Sequence, residues 1–112
     1  MLNIAVLVSG GGTNLQALLD SEARGENPNG KITLVVASKP GVYALERAAK
    51  AGVEGVVVRR KDYATSEAFD AALLKTLKEH DIDLVVLAGF LSVLGPSVIE
   101  AYPRRILNIH PA

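Results

Sequence analysis

Five short apolar runs punctuate the chain, at residues 2–8, 32–37, 56–58, 84–88 and 106–109, and the segments between them carry apolar residues at helical spacing. Unbroken apolar runs suit strands buried on both faces, and their alternation with amphipathic segments marks right-handed βαβ units around a parallel sheet. A first helix is expected over residues 14–24 with Leu15, Leu18 and Leu19 on one face, followed by a turn cluster around Pro28. A second spans residues 42–51, with Leu45, Ala48 and Ala49 facing inward and Gly52 as its left-handed cap. Thr65 or Ser66 caps a third, whose stripe of Phe69, Ala72, Leu73, Thr76 and Leu77 ends at a capping His80. A short helix starts at Pro96, favoured in the first helical position, and stops by Pro103. The expected architecture is α/β: an open, mostly parallel twisted sheet with helices on both faces, Rossmann-like, in a single domain over residues 1–112.

The joint between the first strand and first helix reads Ser9-Gly10-Gly11-Gly12-Thr13-Asn14. Glycines let backbone N–H groups approach an anion closely, and the helix start behind them adds unpaired donors and a partial positive charge. A phosphate is the expected occupant. No Lys follows Gly12, so a Walker-type loop is excluded. Leu15 stands where a dinucleotide fingerprint needs its third Gly, and the second strand ends Ala37-Ser38-Lys39 without an acid for a ribose. Lys39 meeting an NADP phosphate is a minor reading beside that of a solvated loop charge.

Composition narrows the classes further. The chain is 49% hydrophobic but only 4% aromatic, so its core is aliphatic, as in parallel α/β sheets. Twelve acids against twelve bases leave no surplus for a polyanion-binding surface, and Tyr63, Tyr102 and two phenylalanines make no stacking platform; nucleic acid is not an expected partner. The absence of cysteine rules out disulfides and thiolate chemistry and fits the cytoplasm. No apolar run reaches the ~20 residues that span a bilayer, and Met1 leads directly into a strand without a leader, so no membrane association is expected. His80 and His110 stand apart from ligand-spaced acids, so no metal site is expected, and Ser9 lacks the Gly-x-Ser-x-Gly elbow of a nucleophile.

In open parallel sheets, ligands sit at the carboxyl ends of the strands. Besides the glycine turn, residues 89–94 and the Asn108-Ile109-His110-Pro111 segment fall there. Asn108 and His110 are two apart in an extended segment, so they share a side while Ile109 turns into packing, and Pro111 keeps His110 extended. An imidazole moves a proton near neutrality and an amide donates to a polarised carbonyl, so the pair suits acyl transfer. The spacing alone equally fits a histidine satisfied by backbone at a sheet edge.

The runs Val6 through Ala17, Val85-Val86-Leu87-Ala88-Gly89-Phe90 and Leu107-Asn108-Ile109-His110-Pro111, in this order, resemble the phosphoribosylglycinamide formyltransferases of purine synthesis over all 112 residues. The resemblance implies formyl transfer from formyl-tetrahydrofolate to the amine of glycinamide ribonucleotide, without a metal. It implies that Gly12, Thr13 and Asn14 hold the ribonucleotide phosphate and that the folate lies against Leu91, Ser92, Val93 and Leu94, with Asn108 and Ser66 also on the folate. Asn108 would bond the formyl oxygen, and His110 would act as general acid or stabilise the oxyanion. For partners it implies small molecules and, at most, a second copy of the chain in a homodimer.

Ser66 and Ser92 stand where the family often carries Arg, which implies weaker contacts to the folate's anionic tail, or contacts supplied elsewhere. The family also continues past His-Pro to an Asp that orients the histidine, so these residues resemble its amino-terminal part. On that reading the outer edge of the fifth strand is uncovered and the 112 residues alone are poorly active. Two alternatives share features: a sibling folate enzyme (formyl-tetrahydrofolate hydrolase or methionyl-tRNA formyltransferase), which also carries Asn-x-His, and a flavodoxin-like, non-catalytic phosphate- or nucleotide-binding regulatory domain, which would use the turn but leave Asn108 and His110 idle.

Overall fold

A computed structural model describes residues 1–26, 28–90 and 94–109 of the chain. Strand β1 (Leu2–Val8) is its hub, with Ala5 through Val8 wholly excluded from solvent. It pairs in parallel with β2 (Gly30–Ala37) on one side and β4 (Leu84–Ala88) on the other. The short strands β3 (Glu54–Val57) and β5 (Ile106–Ile109) form the edges, giving the order β3-β2-β1-β4-β5. After β3 the chain crosses back over β1 to start β4, so the strand order reverses between β1 and β4; in such sheets the crevice for a ligand opens at that point.

Helices α1 (Thr13–Ala23) and α2 (Tyr43–Lys50) cover one face, burying Leu15, Leu19, Ala44 and Ala48 against Val6, Val8 and Val35. Helices α3 (Ser66–Glu79) and α4 (Pro96–Ala101) cover the other, burying Phe69, Leu73, Leu77 and Val98 against Ala5, Leu7 and Val36. Thr65 caps α3 by accepting from the Ala68 N–H at 3.1 Å, and Gly52 follows α2 in the left-handed region at φ 75°. The α/β architecture expected from the apolar rhythm is therefore the one observed.

Three details depart from it. β3 begins at Glu54, two residues before the apolar run, because ladder pairing with Leu34 through Ala37 holds it rather than burial. β2 likewise opens at Gly30, ahead of its first apolar residue. In α2 the inward positions are Ala44 and Ala48, one turn apart, with Leu45 partly buried; Ala49 faces solvent. The β1–β2 register also slips, with Ile4 opposite Ile32 and Ala5 opposite Leu34. Thr33 is the extra residue of this bulge, so Ile32 and Leu34, two apart in sequence, pack on opposite faces of the sheet.

The end of α3 is tied to edge strand β3 through His80. Its Nδ1 lies 2.8 Å from the Thr76 carbonyl oxygen and its Nε2 lies 2.8 Å from the Glu54 carboxylate. A neutral imidazole has one N–H, so only the cation satisfies both acceptors. The Thr76 carbonyl first, and Glu54 second, raise the pKa above the ordinary 6.5. A folded-state pKa raised above its unfolded value adds stability that is complete below the unfolded pKa and is lost as pH rises through the folded one. Urea unfolding should therefore show the advantage of the parent over His80→Gln shrinking as the pH rises from the ordinary imidazole range toward alkaline values, where carboxylates stay ionised. With the pair partly exposed, the effect should not exceed about 1 kcal/mol; an advantage independent of pH would refute this account.

Candidate active site

The glycine turn runs directly off the buried carboxyl end of β1. Gly12 is the N-cap of α1 at φ 83°, a left-handed conformation that side chains with a Cβ resist. Space excludes a Cβ there as well: it would lie 2.7 Å from the Ala44 Cβ of α2. Gly10 and Gly11 have the opposite surroundings: among the described residues nothing lies within 4 Å of where a Cβ would stand, which leaves their backbone open on that side. Among the described residues no side chain caps α1, which leaves its first-turn N–H groups without a side-chain acceptor there.

Arg47 of α2 braces the turn. Its Nε donates to the Gly11 carbonyl at 2.7 Å, its Nη1 donates to Gln16 Oε1 at 3.2 Å, and its guanidinium lies 4.7 Å from the Tyr43 ring centroid. Because a trans peptide points its C=O and N–H in opposite directions, engaging the Gly11 carbonyl turns the Gly12 N–H away from Arg47. Ser9 is buried, and its hydroxyl shares a 2.8 Å hydrogen bond with that of Ser38 at the end of β2. The Ser9 N–H donates to the Gly89 carbonyl at 3.2 Å, tying the ends of β1 and β4 together. Gly10 through Asn14 and Ala88-Gly89 thus line one cleft of about 230 Å³ at the point where the strand order reverses.

The segment after β4 is held at both ends. Gly89 takes φ 71°. At the far end Asp70 of α3, only 2% exposed, accepts from the N–H groups of Gly95 at 2.9 Å and Ser97 at 2.8 Å, with Val98 more distant at 3.4 Å. A carboxylate there satisfies the orphan donors of α4 and complements its dipole. Gly95 is required for this approach, since a Cβ would stand 2.7 Å from the Asp70 carboxyl carbon.

Asn108 is exposed on β5, opposite Leu87, which is itself opposite Leu7 of β1. Two strand spacings, about 10 Å, therefore separate the Asn108 backbone from the strand that carries the glycine turn. Ile109 packs into the core on the α1 side, as the alternation requires. The structure brings Gly12, Thr13 and Asn14 together with Gly89, and sets Asn108 on the same rim. Leu94 packs against the α3 face. Ser66 is the exposed first residue of α3, and no hydrogen bond joins it to the turn or to β5 among the described residues. Leu91, Ser92, Val93, His110 and Pro111 lie outside the described residues.

Two residues that shape the site were absent from the sequence expectations. Asp70 carried a signal, since it falls three residues before Leu73 on the buried stripe, where an acid needs a partner. Arg47 carried none, as a base in the last turn of a helix is ordinary. Among the described residues no group of three or more His, Asp or Glu side chains could hold a metal ion, and no helix is long and apolar enough to cross a membrane.

The formyl transferase profile matches residues 2–112. The chain belongs to the formyl transferase family. It is 39% identical over 112 residues to a phosphoribosylglycinamide formyltransferase of Haemophilus influenzae, covering all of this chain and 52% of that protein. It is 43% identical over 110 residues to the trifunctional purine biosynthetic protein adenosine-3 of Chironomus tentans, covering 97% of this chain and 8% of the relative. The crystal structure of glycinamide ribonucleotide transformylase 1 from Symbiobacterium toebii superposes with a TM-score of 0.93 at 44% identity, over 99% of this chain and 52% of that one. This formyl transferase chain thus spans about half the length of the single-function relatives it matches.

Gly12→Ala should lower stability by about 2–4 kcal/mol in urea unfolding, combining a left-handed alanine with overpacking against Ala44. Asp70→Ala should cost about 2–3 kcal/mol by orphaning buried donors. A loss below about 0.5 kcal/mol for either, the range of ordinary surface substitutions, would refute the packing described.

Proposed function

We propose that these residues form the ribonucleotide-binding part of a phosphoribosylglycinamide formyltransferase, which moves a formyl group from formyl-tetrahydrofolate to the amine of glycinamide ribonucleotide. The observation that carries this reading is the shared cleft of the glycine turn and Gly89, with Asn108 about 10 Å across the same rim. A phosphate seated on the open Gly10-Gly11 backbone and the α1 N-terminus would leave the rest of its ligand extending along the rim toward β5. The names of the relatives, phosphoribosylglycinamide formyltransferase among them, support the same substrates.

Formyl transfer needs three services: alignment of the amine with the formyl carbon, a donor for the oxygen that becomes negative, and a route for one proton. The amine nitrogen bonds to the formyl carbon, the bond from that carbon to the folate nitrogen breaks, and the proton lost by the amine ends on the folate nitrogen. In this reading Gly12, Thr13 and Asn14 fix the phosphate and so set the position of the amine. The Asn108 amide donates to the oxyanion and His110 handles the proton. Leu91 through Leu94 flank the folate, on a segment whose ends are held by Gly89 and by the Asp70–Gly95 contact. Ser66, exposed at the start of α3, would reach only the outer part of the folate.

The test uses a protein of the length of the single-function relatives that carries these residues. Asn108→Ala and His110→Ala should each lower kcat by about 100-fold or more, the usual scale for losing an oxyanion donor or a general acid, with ribonucleotide affinity changed little. Gly12→Ala should instead weaken ribonucleotide binding in calorimetry. Near-parental turnover in both the Asn108 and His110 variants would overturn the catalytic assignment.

A further inference from the structure

Next to the glycine turn on the same rim lies a larger cleft, of about 350 Å³, that the formyl-transfer reading does not use. It opens beyond the carboxyl ends of β2 and β3 and is lined by Ser38, Lys39, Pro40, Arg59, Arg60 and Lys61. Four of these six are cations and none is an acid, in a chain whose acids and bases balance at twelve each. The segregation is therefore local.

The floor of this cleft is rigid. The Val58 N–H donates to the Ala37 carbonyl at 2.9 Å, and the Ser38 N–H donates to the Val8 carbonyl at 3.0 Å, which carries the β-ladder to its base. The Ser38 hydroxyl meets that of Ser9. Arg60 is held in place: its Nη1 donates to the Tyr63 carbonyl at 3.1 Å, and its guanidinium stands 5.8 Å from the centroid of the buried Phe69 ring. Lys39, Arg59 and Lys61 are exposed, and none forms an ion pair among the described residues, where the pairs are Arg24–Glu26 and His80–Glu54. Asp62, next along the chain, is exposed and does not line the cleft.

Like charges gathered at one concave surface repel one another and focus a positive potential, and a multiply charged anion relieves both. Among the described residues no aromatic side chain lines the cleft, so none there offers a nucleobase a stacking face. Its volume falls in the range of small-molecule sites. It shares no lining residue with the cleft of the glycine turn, so the two can be filled independently.

We propose that the cleft formed by Lys39, Arg59, Arg60 and Lys61 is a second anion site that binds a small molecule carrying three or more negative charges, an oligophosphate or a tricarboxylate. The test is amide-resolved NMR titration, at about 0.15 M salt, where screening removes weak non-specific attraction, of a protein of the length of the single-function relatives that carries these residues. The probes are inorganic tripolyphosphate, citrate and, for the glycine turn, inorganic phosphate. Saturable shifts of the Ser38, Arg59, Arg60 and Lys61 amides are expected. Response to tripolyphosphate alone assigns a phosphate ligand, to citrate alone a carboxylate ligand, and to both a site that reads charge. The double variant Arg59→Gln/Lys61→Gln, made at exposed positions, should weaken this binding at least tenfold while the response of Gly10–Gly12 to inorganic phosphate stays unchanged. Shifts that never saturate, that persist in the double variant, or that are confined to the glycine turn would overturn the proposal.

Discussion

Where Gly12 meets Ala44, two helices and a turn come within the reach of single hydrogen atoms. A methyl group on Gly12 would lie 2.7 Å from the Ala44 Cβ, so α2 can rest on the turn only because one partner has no side chain and the other has the smallest one. That separation brings Arg47, one turn further along α2, within 2.7 Å of the Gly11 carbonyl. A larger residue at either position would lift α2 and withdraw the guanidinium. The shape of the turn is thus a property of helix packing as much as of three glycines in a row.

The sheet order gives that packing a use. Because β1 and β4 are neighbours whose next helices, α1 and α4, lie on opposite faces, a cleft opens at their carboxyl ends. The Ser9 N–H bond to Gly89 closes the base of this gap, and the Ser9–Ser38 pair closes its flank toward β2. On the far side, β5 lies in parallel register with β4 and puts Asn108 level with Leu87. Contacts among backbone groups and small polar side chains therefore build the frame, and the large aliphatic residues beneath keep it from shifting.

Much of this was legible in the residues. β1, β4 and β5 coincide with their apolar runs because each is almost wholly apolar, interrupted only by Asn3 in β1 and Asn108 in β5. β3 was read short because Glu54 and Gly55 contribute backbone pairing without apolar side chains, a kind of strand that hydropathy does not reveal. Ala49 was turned inward by a pattern in which alanines on adjacent positions are interchangeable, since one methyl carries little preference for either side. The glycine turn between β1 and α1 is plain in the sequence, whereas the brace from Arg47, 36 residues away, depends on a contact that no local pattern encodes. Asp70 stood in plain view on a buried stripe, and its partners became identifiable only once α4 lay beside α3.

Asp70 also separates what must stay constant from what is free to vary. Its carboxylate grips main-chain N–H groups at and after Gly95, and Gly89 makes the opposite bend with its own backbone. Neither anchor depends on the identity of the side chains between them. The two anchors therefore survive changes of side chain between them, although Phe90 and Leu94 also pack against the α3 core. Main-chain anchors of this kind let a loop change its side chains while its two ends keep their places in the fold.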